Sequence, residues 1–364
     1  MKWLKYLLIL ALIGTFSCGE KKKRRTDDDK DGSSDNGDKT SNTETIEEIP
    51  SSALIPIMGK SKKTGKNISF AYDPFACISN DGKLLTLQRR VKDSNTSFYL
   101  ALYDLEKKEY TGNELEKIVD INEPALSPDN KKIAFIYLKD LEKTGGDVYI
   151  VGIDGQGLEQ ITKTKEPESQ ISWSNDGKSI CFVRDKRHII IYDFAEKKET
   201  SYPINMSNNK PATNINHPVF SPDNKSLAFD LPKTYDEKTT SQVIGIIDIE
   251  SKNVTYATIE KGGAISPVWI KEGNYIAHVF KDATTKDEEG KNVPTHILKW
   301  AIKSGEKQGI LLQPEGQVEV GERVSYSPAK KWICFSLRRS IKGKDGTSKV
   351  AFEVFALPLE KPAS

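Results

Sequence analysis

The stretch Ser127-Pro128-Asp129-Asn130-Lys131-Lys132-Ile133 decides the fold, because its pattern recurs along the chain. Close copies are Ser79-Asn80-Asp81-Gly82-Lys83, Ser174-Asn175-Asp176-Gly177-Lys178 and Ser221-Pro222-Asp223-Asn224-Lys225. Two degenerate copies begin at Ile270 and Ser327. The starts at 79, 127, 174, 221, 270 and 327 are separated by 48, 47, 47, 49 and 57 residues. A period of about 50 residues indicates either a propeller or a solenoid.

The residues around each copy favour the propeller. Proline fixes φ, aspartate bonds the nearby backbone, and glycine or asparagine accepts a left-handed conformation, so each copy predicts a tight turn. Each turn is followed by a short apolar run, a polar loop and a second β-rich run, such as Val148-Tyr149-Ile150-Val151. Four short strands per repeat without helical periodicity describe a propeller blade. The sequence therefore predicts an all-β, six-bladed β-propeller with four-stranded antiparallel blades.

The ring is expected to close through an N-terminal strand. After the third strand of the sixth blade, at residues 350–357, the chain offers only a proline-containing tail. A spare β-rich run, Ile68-Ser69-Phe70-Ala71-Tyr72, precedes the first turn. We predict that residues 68–72 form the outer strand of the blade that contains Trp332, because this closure removes the exposed edges of an open sheet.

The composition describes a folded protein with little net charge. The chain has 364 residues, of which 37% are hydrophobic, with 54 lysines and arginines against 52 aspartates and glutamates. A net charge of +2 provides no strong field for binding a phosphate backbone, so a nucleic-acid partner is not expected. Four cysteines in this length exclude a scaffold built on disulfides. We expect a monomer.

The first fifty residues predict an exported lipoprotein. The apolar run at residues 7–16 is too short to span a membrane, and Cys18 follows it in an arrangement that resembles the lipidation site of bacterial lipoproteins. We expect a signal peptide over residues 1–17, lipidation at Cys18, a disordered polar tether over residues 18–50 and the propeller over residues 51–364. An ordinary signal peptide is the alternative. The lipid anchor would place the protein in the bacterial cell envelope, at the outer membrane, facing the periplasm or the cell surface.

One repeat carries a family resemblance. The run Val148-Tyr149-Ile150-Val151-Gly152-Ile153-Asp154-Gly155-Gln156-Gly157-Leu158-Glu159-Gln160-Ile161-Thr162 resembles the repeat of TolB-like six-bladed propellers, also called WD-like propeller repeats. The resemblance covers residues 68–357 and implies the architecture. It does not specify function, because the family includes periplasmic scaffold proteins, the gating propellers of prolyl oligopeptidases and some polysaccharide-acting enzymes. TolB also has a small N-terminal domain that binds other Tol proteins, and residues 19–50 are far too polar to form one.

Comparison among the repeats assigns most histidines to the framework. His188 and His296 each precede a third strand, and His278 occupies a core position that phenylalanine fills in four other repeats. His217 precedes an innermost strand, where side chains reach the central channel, so it is a candidate binding residue. No nucleophile elbow, zinc-protease motif or phosphate-binding glycine loop occurs. The sequence predicts no catalytic residue, no metal site and no cofactor.

Three cysteines are predicted to fill small core positions, Cys77, Cys181 and Cys334. Cys181 and Cys334 would lie on opposite sides of the ring, too far apart for a disulfide. Cys77 and Cys334 would lie on neighbouring blades, and a disulfide between them is left open.

Long charged connections distinguish one face of the predicted propeller. Five blades have long loops between their second and third strands, including residues 233–241 and 338–349, whereas blade 3 has a tight turn at residues 184–187. Scaffold propellers usually bind partners on such a contoured rim, and solvated loops without a ligand are the alternative. The candidate partner-binding residues are His217 and the rim arginines Arg89, Arg90, Arg184, Arg338 and Arg339. Four of these arginines would form a basic patch on the neighbouring blades 1 and 6.

Two functions from different classes follow. The first is a non-catalytic cell-envelope lipoprotein whose propeller face binds a protein or a peptidoglycan-associated partner. The alternative is a carbohydrate-binding or lyase-type carbohydrate-active propeller. The TolB-like pectate-fragment lyases rely on a histidine-rich metal site in the channel, so a chain with four histidines, three of them assigned to the framework, favours the first function.

Overall fold

The computed structural model describes residues 47–49, 55–57, 59–60, 67–68, 75–91, 97–111, 114–138, 145–205, 211–236, 239–257, 263–282, 295–302, 310–312, 319–342 and 348–359. These residues form β-strands almost throughout. Two short 3-10 segments, Leu115–Lys117 and Lys271–Gly273, are the only helical segments among them.

Most strands belong to six antiparallel units, which we number as blades in chain order. Four strands precede the first turn: β1 (Glu47–Ile49), β2 (Ile55–Ile57), β3 (Gly59–Lys60) and β4 (Asn67–Ile68). Blade 1 comprises β5 (Cys77–Ile78), β6 (Leu84–Arg90), β7 (Phe98–Asp104) and β8 (Glu109–Thr111). Blade 2 comprises β9 (Ile121–Leu126), β10 (Lys132–Tyr137), β11 (Asp147–Gly152) and β12 (Glu159–Gln160). Blade 3 comprises β13 (Glu168–Trp173), β14 (Ser179–Arg184), β15 (His188–Asp193) and β16 (Lys198–Pro203). Blade 4 comprises β17 (Asn216–Phe220), β18 (Ser226–Asp236), β19 (Thr239–Asp248) and β20 (Val254–Tyr256). Blade 5 comprises β21 (Gly263–Ile270), β22 (Tyr275–Asp282), β23 (Thr295–Ile302) and β24 (Ile310–Leu312). Blade 6 comprises β25 (Glu319–Ser327), β26 (Trp332–Lys342), β27 (Ser348–Pro358) and the N-terminal strand β2.

Blades 4 and 5 belong to one continuous sheet. A single parallel residue pair, Gln242 with Gly263, joins β19 to β21 and connects nine strands. Counted as continuous sheets, the propeller therefore has four sheets of four strands and one of nine. Within the large sheet, β17 to β20 and β21 to β24 each keep their own antiparallel order. The six predicted repeats thus correspond to six four-stranded units.

Each pair of neighbouring blades shares one buried apolar cluster, including the pair formed by blades 6 and 1. The eighth residue after each turn start supplies a large side chain to the core. It is fully buried in four blades, as Phe135, Phe182, Phe229 and Phe335. His278 occupies this position in blade 5 and is 3% exposed, which confirms its assignment to the core. Burying one such side chain stabilises the fold by roughly 1.5–3 kcal/mol.

Side chains of the repeated motif close the turns. The Oγ of Ser79 donates to Oδ1 of Asp81 at 2.6 Å, and the backbone N–H of Leu84 donates to Oγ of Ser79 at 2.9 Å. The same serine–aspartate bond recurs in the turns that begin at residues 127, 174 and 221. The residue after each aspartate has a positive φ: Gly82, Asn130, Gly177 and Asn224. The repeated aspartate is therefore a turn residue, as the sequence predicts.

An N-terminal strand completes blade 6, but the predicted strand was wrong. β2 pairs antiparallel with β27, with Ile57 opposite Val354. Of the predicted residues 68–72, only Ile68 is described, and it pairs with Gly59 in a separate two-stranded sheet. The physical reason is Pro56. Proline makes residues 55–57 a poor strand by sequence, yet an outermost strand tolerates it because one edge makes no ladder bonds.

The tether boundary also differs from the prediction. β1 pairs in parallel with β24 at the edge of blade 5, so Glu47–Ile49 at the end of the predicted tether forms a strand. Residues 1–46, with the predicted signal peptide and Cys18, lie outside the described residues. In the part of the chain that the structure describes, no helix has the length and apolar character required to span a bilayer.

Two of the predicted loops are strand hairpins. The ladder between β18 and β19 continues to Asp236 opposite Thr239, and the ladder between β26 and β27 continues to Lys342 opposite Ser348. The prediction of loops at residues 233–241 and 338–349 was wrong for most of these residues. Their β-branched residues, such as Thr239 and Ile341, suit extended pairing although the charged composition resembles a loop.

Candidate functional site

A ring of six residues surrounds the central channel, one from each blade, four positions before each turn start. Its members are Phe75, Glu123, Gln170, His217, Ser266 and Arg323, and all six line the same cavity. The register of the innermost strand shifts at this position in blades 2 to 6. Four members, from Glu123 to Ser266, have positive φ values. In these five blades, a bulge therefore turns one residue out of its own sheet and toward the axis.

Backbone N–H groups released by the bulges donate to the preceding blade. The N–H of Glu123 donates to Oε1 of Gln88 at 3.0 Å, and the N–H of Gln170 donates to the carboxylate of Glu123. The N–H of Ser266 donates to Oδ1 of Asp230 at 2.9 Å. In blade 6, the N–H of Val324 donates to Oγ of Ser266 at 3.1 Å.

This series of hydrogen bonds between neighbouring blades, which we call the circuit, continues from blade 6 to blade 1, where the ring closes. The N–H of Ile78 in blade 1 donates to Oγ of Ser325 in blade 6 at 3.1 Å. Blades 1 and 6 are therefore neighbours, as predicted. Since each bond joins two blades near the axis, the ring residues act first as links between blades.

His217 lies within this circuit. Its backbone N–H donates to Oε1 of Gln170 at 2.5 Å, and its Nδ1 lies 2.6 Å from Oδ1 of Asp230. Asp230 is 1% exposed, so this contact holds the imidazole from inside the blade. The side chain lines the channel, where the sequence predicts it. Its role in partner binding stays a prediction.

Arg323 is the channel residue that sequence reasoning missed. Its guanidinium donates from Nη1 to the carbonyl of Pro124 at 3.0 Å and from Nη2 to the carbonyl of Ile171 at 2.6 Å. The side chain therefore reaches from blade 6 to blades 2 and 3. Among the described residues, no carboxylate forms an ion pair with it. The signal was its position four residues before Ser327, the position that His217 holds before Ser221.

The channel encloses a cavity of about 290 Å³. None of the described residues that precede the ring in the innermost strands lines it, so the ring forms one end. Its walls are mostly apolar and include Trp173, Phe220, Trp269 and Tyr326. At the other end lie the second residues of the turns, of which Asn175, Pro222 and Pro328 are exposed. The cavity is therefore polar at the ring and opens between the turns.

The predicted rim arginines of blade 1 differ in their surroundings. The Arg89 guanidinium lies over the ring of Tyr110 at 4.5 Å and near that of Tyr99 at 5.9 Å. It is therefore packed against its own blade in a cation–π arrangement. Arg90 ends β6 and is exposed, so of the two it presents more surface to a partner.

Arg184 lies in an ion-pair network at the tight turn of blade 3. Its guanidinium donates to Oε1 of Glu168 at 2.6 Å and to Oε2 of Glu199 at 2.7 Å. Burial alone would lower the pKa of Arg184, but hydrogen bonds to Glu199 and Glu168 outweigh burial and raise that pKa. The Glu168 side chain is fully buried. Arg184 therefore pairs with a buried carboxyl group, a structural role that would compete with partner binding.

Arg338 and Arg339 lie in β26, in the projecting hairpin of blade 6. Arg338 is opposite Phe352 and Arg339 is opposite Ala351. The backbone thus places both in the ladder and not in the predicted loop. Their membership of a basic patch stays a prediction.

The described cysteines are free thiols, and two of them fill core positions as predicted. Cys181 and Cys334 are fully buried, and burial raises the pKa of both thiols. Cys77 is instead half-buried and lines the channel. Among the described residues, no cluster of three or more histidine, cysteine, aspartate or glutamate side chains could hold a metal ion.

Comparison with known proteins identifies structures with a similar fold. No protein-family profile matches the chain, and no curated protein sequence matches it. A protein provisionally named TolB from Agrobacterium tumefaciens is 19% identical, with a TM-score of 0.51 over 79% of this chain and 91% of that chain. TolB from Acinetobacter baumannii is 18% identical, with a TM-score of 0.55 over 77% of this chain and 68% of that chain. At the level of the fold, the chain is a TolB-like β-propeller, as its repeats predict.

Proposed function

We propose that this protein is a non-catalytic cell-envelope lipoprotein, anchored through Cys18, whose propeller binds a protein or a peptidoglycan-associated partner. The binding surface in this proposal is the face where the second strands end, which we call the hairpin face. The observation that carries the proposal is the uneven height of this face. Such relief provides shape for recognition that a flat ring of short turns would lack.

The relief follows from strand lengths. Counted from the turn serine, the second strand of blade 3 ends at the tenth residue, Arg184, whereas those of blades 4 and 6 end at the fifteenth, Asp236 and Lys342. Five additional strand residues correspond to roughly 17 Å. Two tall hairpins therefore flank blade 5, and blade 3 forms a low step beside blade 4.

Charge on this face favours a partner with exposed acidic groups. Arg90 is exposed at the end of β6, and Arg338 and Arg339 lie at the base of the blade 6 hairpin on the neighbouring blade. Arginine recognises carboxylates and phosphates through its planar group of donors. We assign the electrostatic contribution chiefly to Arg90, which is exposed, and to Arg338 and Arg339, which the backbone places on the neighbouring blade.

Site-specific photocrosslinking tests which face is used. A photoreactive amino acid at position 90 should give an adduct in intact cells, whereas one at Lys178, an exposed basic residue of the opposite turn face, should give none. Both variants carry the same group at an exposed basic position, so expression and labelling are matched. Adducts from position 178 alone would place the partner on the turn face and overturn the proposal.

A further inference from the structure

The Arg323 guanidinium at the ring end of the channel cavity forms no ion pair among the described residues. The carboxylate of Glu123, which lines the same cavity, accepts the backbone N–H of Gln170. The two groups that the guanidinium contacts are neutral carbonyls, those of Pro124 and Ile171. A guanidinium has five N–H donors, so three remain after these two bonds. The side chain is half-buried and lines the cavity. An unpaired cation in a partly desolvated site favours an anion from outside the protein.

The cavity walls define the rest of the ligand. Trp173 and Trp269 line it and are less than 10% exposed. Their indole N–H groups donate to the carbonyls of Ala125 at 3.0 Å and Val219 at 3.2 Å. These bonds fix both rings between adjacent blades. The apolar ring surfaces of the wall are thus rigid before any ligand arrives, which lowers the entropic cost of binding.

Size and access limit the ligand further. A volume of about 290 Å³ lies at the lower end of the roughly 300–1,000 Å³ typical of small-molecule pockets. The open end lies between the turns, where Asn175 and Pro222 are exposed. The site is therefore reached from the turn face, opposite to the hairpin face.

We propose that the channel binds a small organic monocarboxylate with an aromatic or apolar body. The carboxylate accepts hydrogen bonds from the free donors of Arg323, and the body packs between Trp173 and Trp269. Charge-assisted bonds from arginine to a carboxylate are short and strong. This site is independent of the proposed partner-binding face, so either proposal can fail without the other.

Calorimetric titration of the full chain with phenylacetate tests the proposal, with phenylacetamide as the uncharged analogue of the same shape. Phenylacetate should bind at least about tenfold more tightly than phenylacetamide, a difference of about 1.4 kcal/mol. Arg323→Gln should remove this preference. Arg187→Gln changes an exposed arginine at the hairpin face and should leave both affinities unchanged.

A second variant covers the case in which Arg323→Gln does not fold. Ser172 lines the cavity wall, and Ser172→Leu retains Arg323 while filling the space. It should abolish binding of both probes. Equal affinity for acid and amide, unchanged phenylacetate binding in either variant, or no phenylacetate binding by the wild type up to about 10 mM would each overturn the proposal.

Discussion

The backbone N–H of His217 donates to Oε1 of Gln170 at 2.5 Å, although 47 residues and a blade boundary separate them. This bond shows how a bulged channel residue, which cannot complete its own ladder, is satisfied by the blade before it. The ring of channel residues is therefore a stability element as well as the lining of a cavity. Its members should be sensitive to substitution even where they contact no ligand.

Gln170→Ala should lower the free energy of unfolding by about 1–3 kcal/mol, because it leaves the His217 N–H without an acceptor in a largely buried site. It also removes the 3.3 Å bond from Gln170 to Asn216. Urea denaturation followed by circular dichroism measures the change. Gln156→Ala, at an exposed glutamine of blade 2, is the control and should change the free energy by less than ~0.5 kcal/mol. Equal effects of the two substitutions would contradict a linking role for Gln170.

The turns and blade cores were predictable because residues at the same position of different repeats have the same structural role. Gly82 and Asn130 both have the positive φ that the turn requires. His278 was assigned to the core because phenylalanine occupies the same repeat position in four other blades. Arg323 shares its repeat position with His217, which indicates a place in the channel, but the six ring positions carry six different residue types, so the repeat does not predict its contacts. These contacts depend on closure of the ring, which brings blade 6 opposite blades 2 and 3.

The closing strand shows a second limit of sequence reasoning. Both candidate segments lie before the first turn, outside the repeat, so no counterpart fixes their register. The run at residues 68–72 had stronger β propensity, whereas Ile55–Ile57 contains a proline. Pairing with β27 depends on where the connecting chain can reach, a tertiary constraint that local propensity does not encode.

Removal of residues 1–57 should destabilise the protein and promote self-association, because it exposes the edge of β27 that β2 covers and the edge of β24 that β1 covers. Removal of residues 1–43, which retains β1 and β2, should have neither effect on the propeller. Thermal unfolding and light scattering after size-exclusion chromatography measure the two properties. A monomer of unchanged stability after the longer truncation would show that β2 does not close the ring.

Acid should destabilise the turn of blade 2 through Asp129. The hydrogen bond from the Ser127 hydroxyl lowers the pKa of Asp129 below its usual value of 3.8. A carboxyl with a lowered folded-state pKa contributes stability above its unfolded pKa and loses it as the pH falls through the folded pKa. The free energy of unfolding of the wild type should therefore fall as the pH drops below about 4, and Asp129→Asn should remove part of that fall.

Ser127→Ala provides an independent test of the same bond. Without the hydroxyl, the pKa of Asp129 should return toward its ordinary value, so the acid-dependent part of its contribution should shrink as in Asp129→Asn. The double variant should show no larger loss of pH dependence than either single variant. Additive losses would mean that the two side chains act separately.

Lipid attachment at Cys18 is tested by metabolic labelling with a fatty acid. Label should appear in the wild-type protein and disappear in Cys18→Ala, because the thiol is the proposed attachment atom. Cys77→Ala, at a half-buried channel cysteine, is the matched control and should retain the label. Persistent labelling of Cys18→Ala would refute the lipoprotein proposal without affecting the propeller.

Partner capture should depend on charge at the hairpin face. Arg90→Glu combined with Arg338→Glu and Arg339→Glu reverses three positive charges on neighbouring blades, so capture of an acidic partner from crosslinked envelopes should fall and its association should slow. Arg89 is left in place because its contact with Tyr110 would add a stability loss to the result. Lys83→Glu combined with Lys178→Glu reverses exposed charges on the turn face and should leave capture unchanged. Capture that is lost with the lysine changes and kept with the arginine changes would assign the partner to the turn face, where it would cover the mouth of the cavity above Arg323.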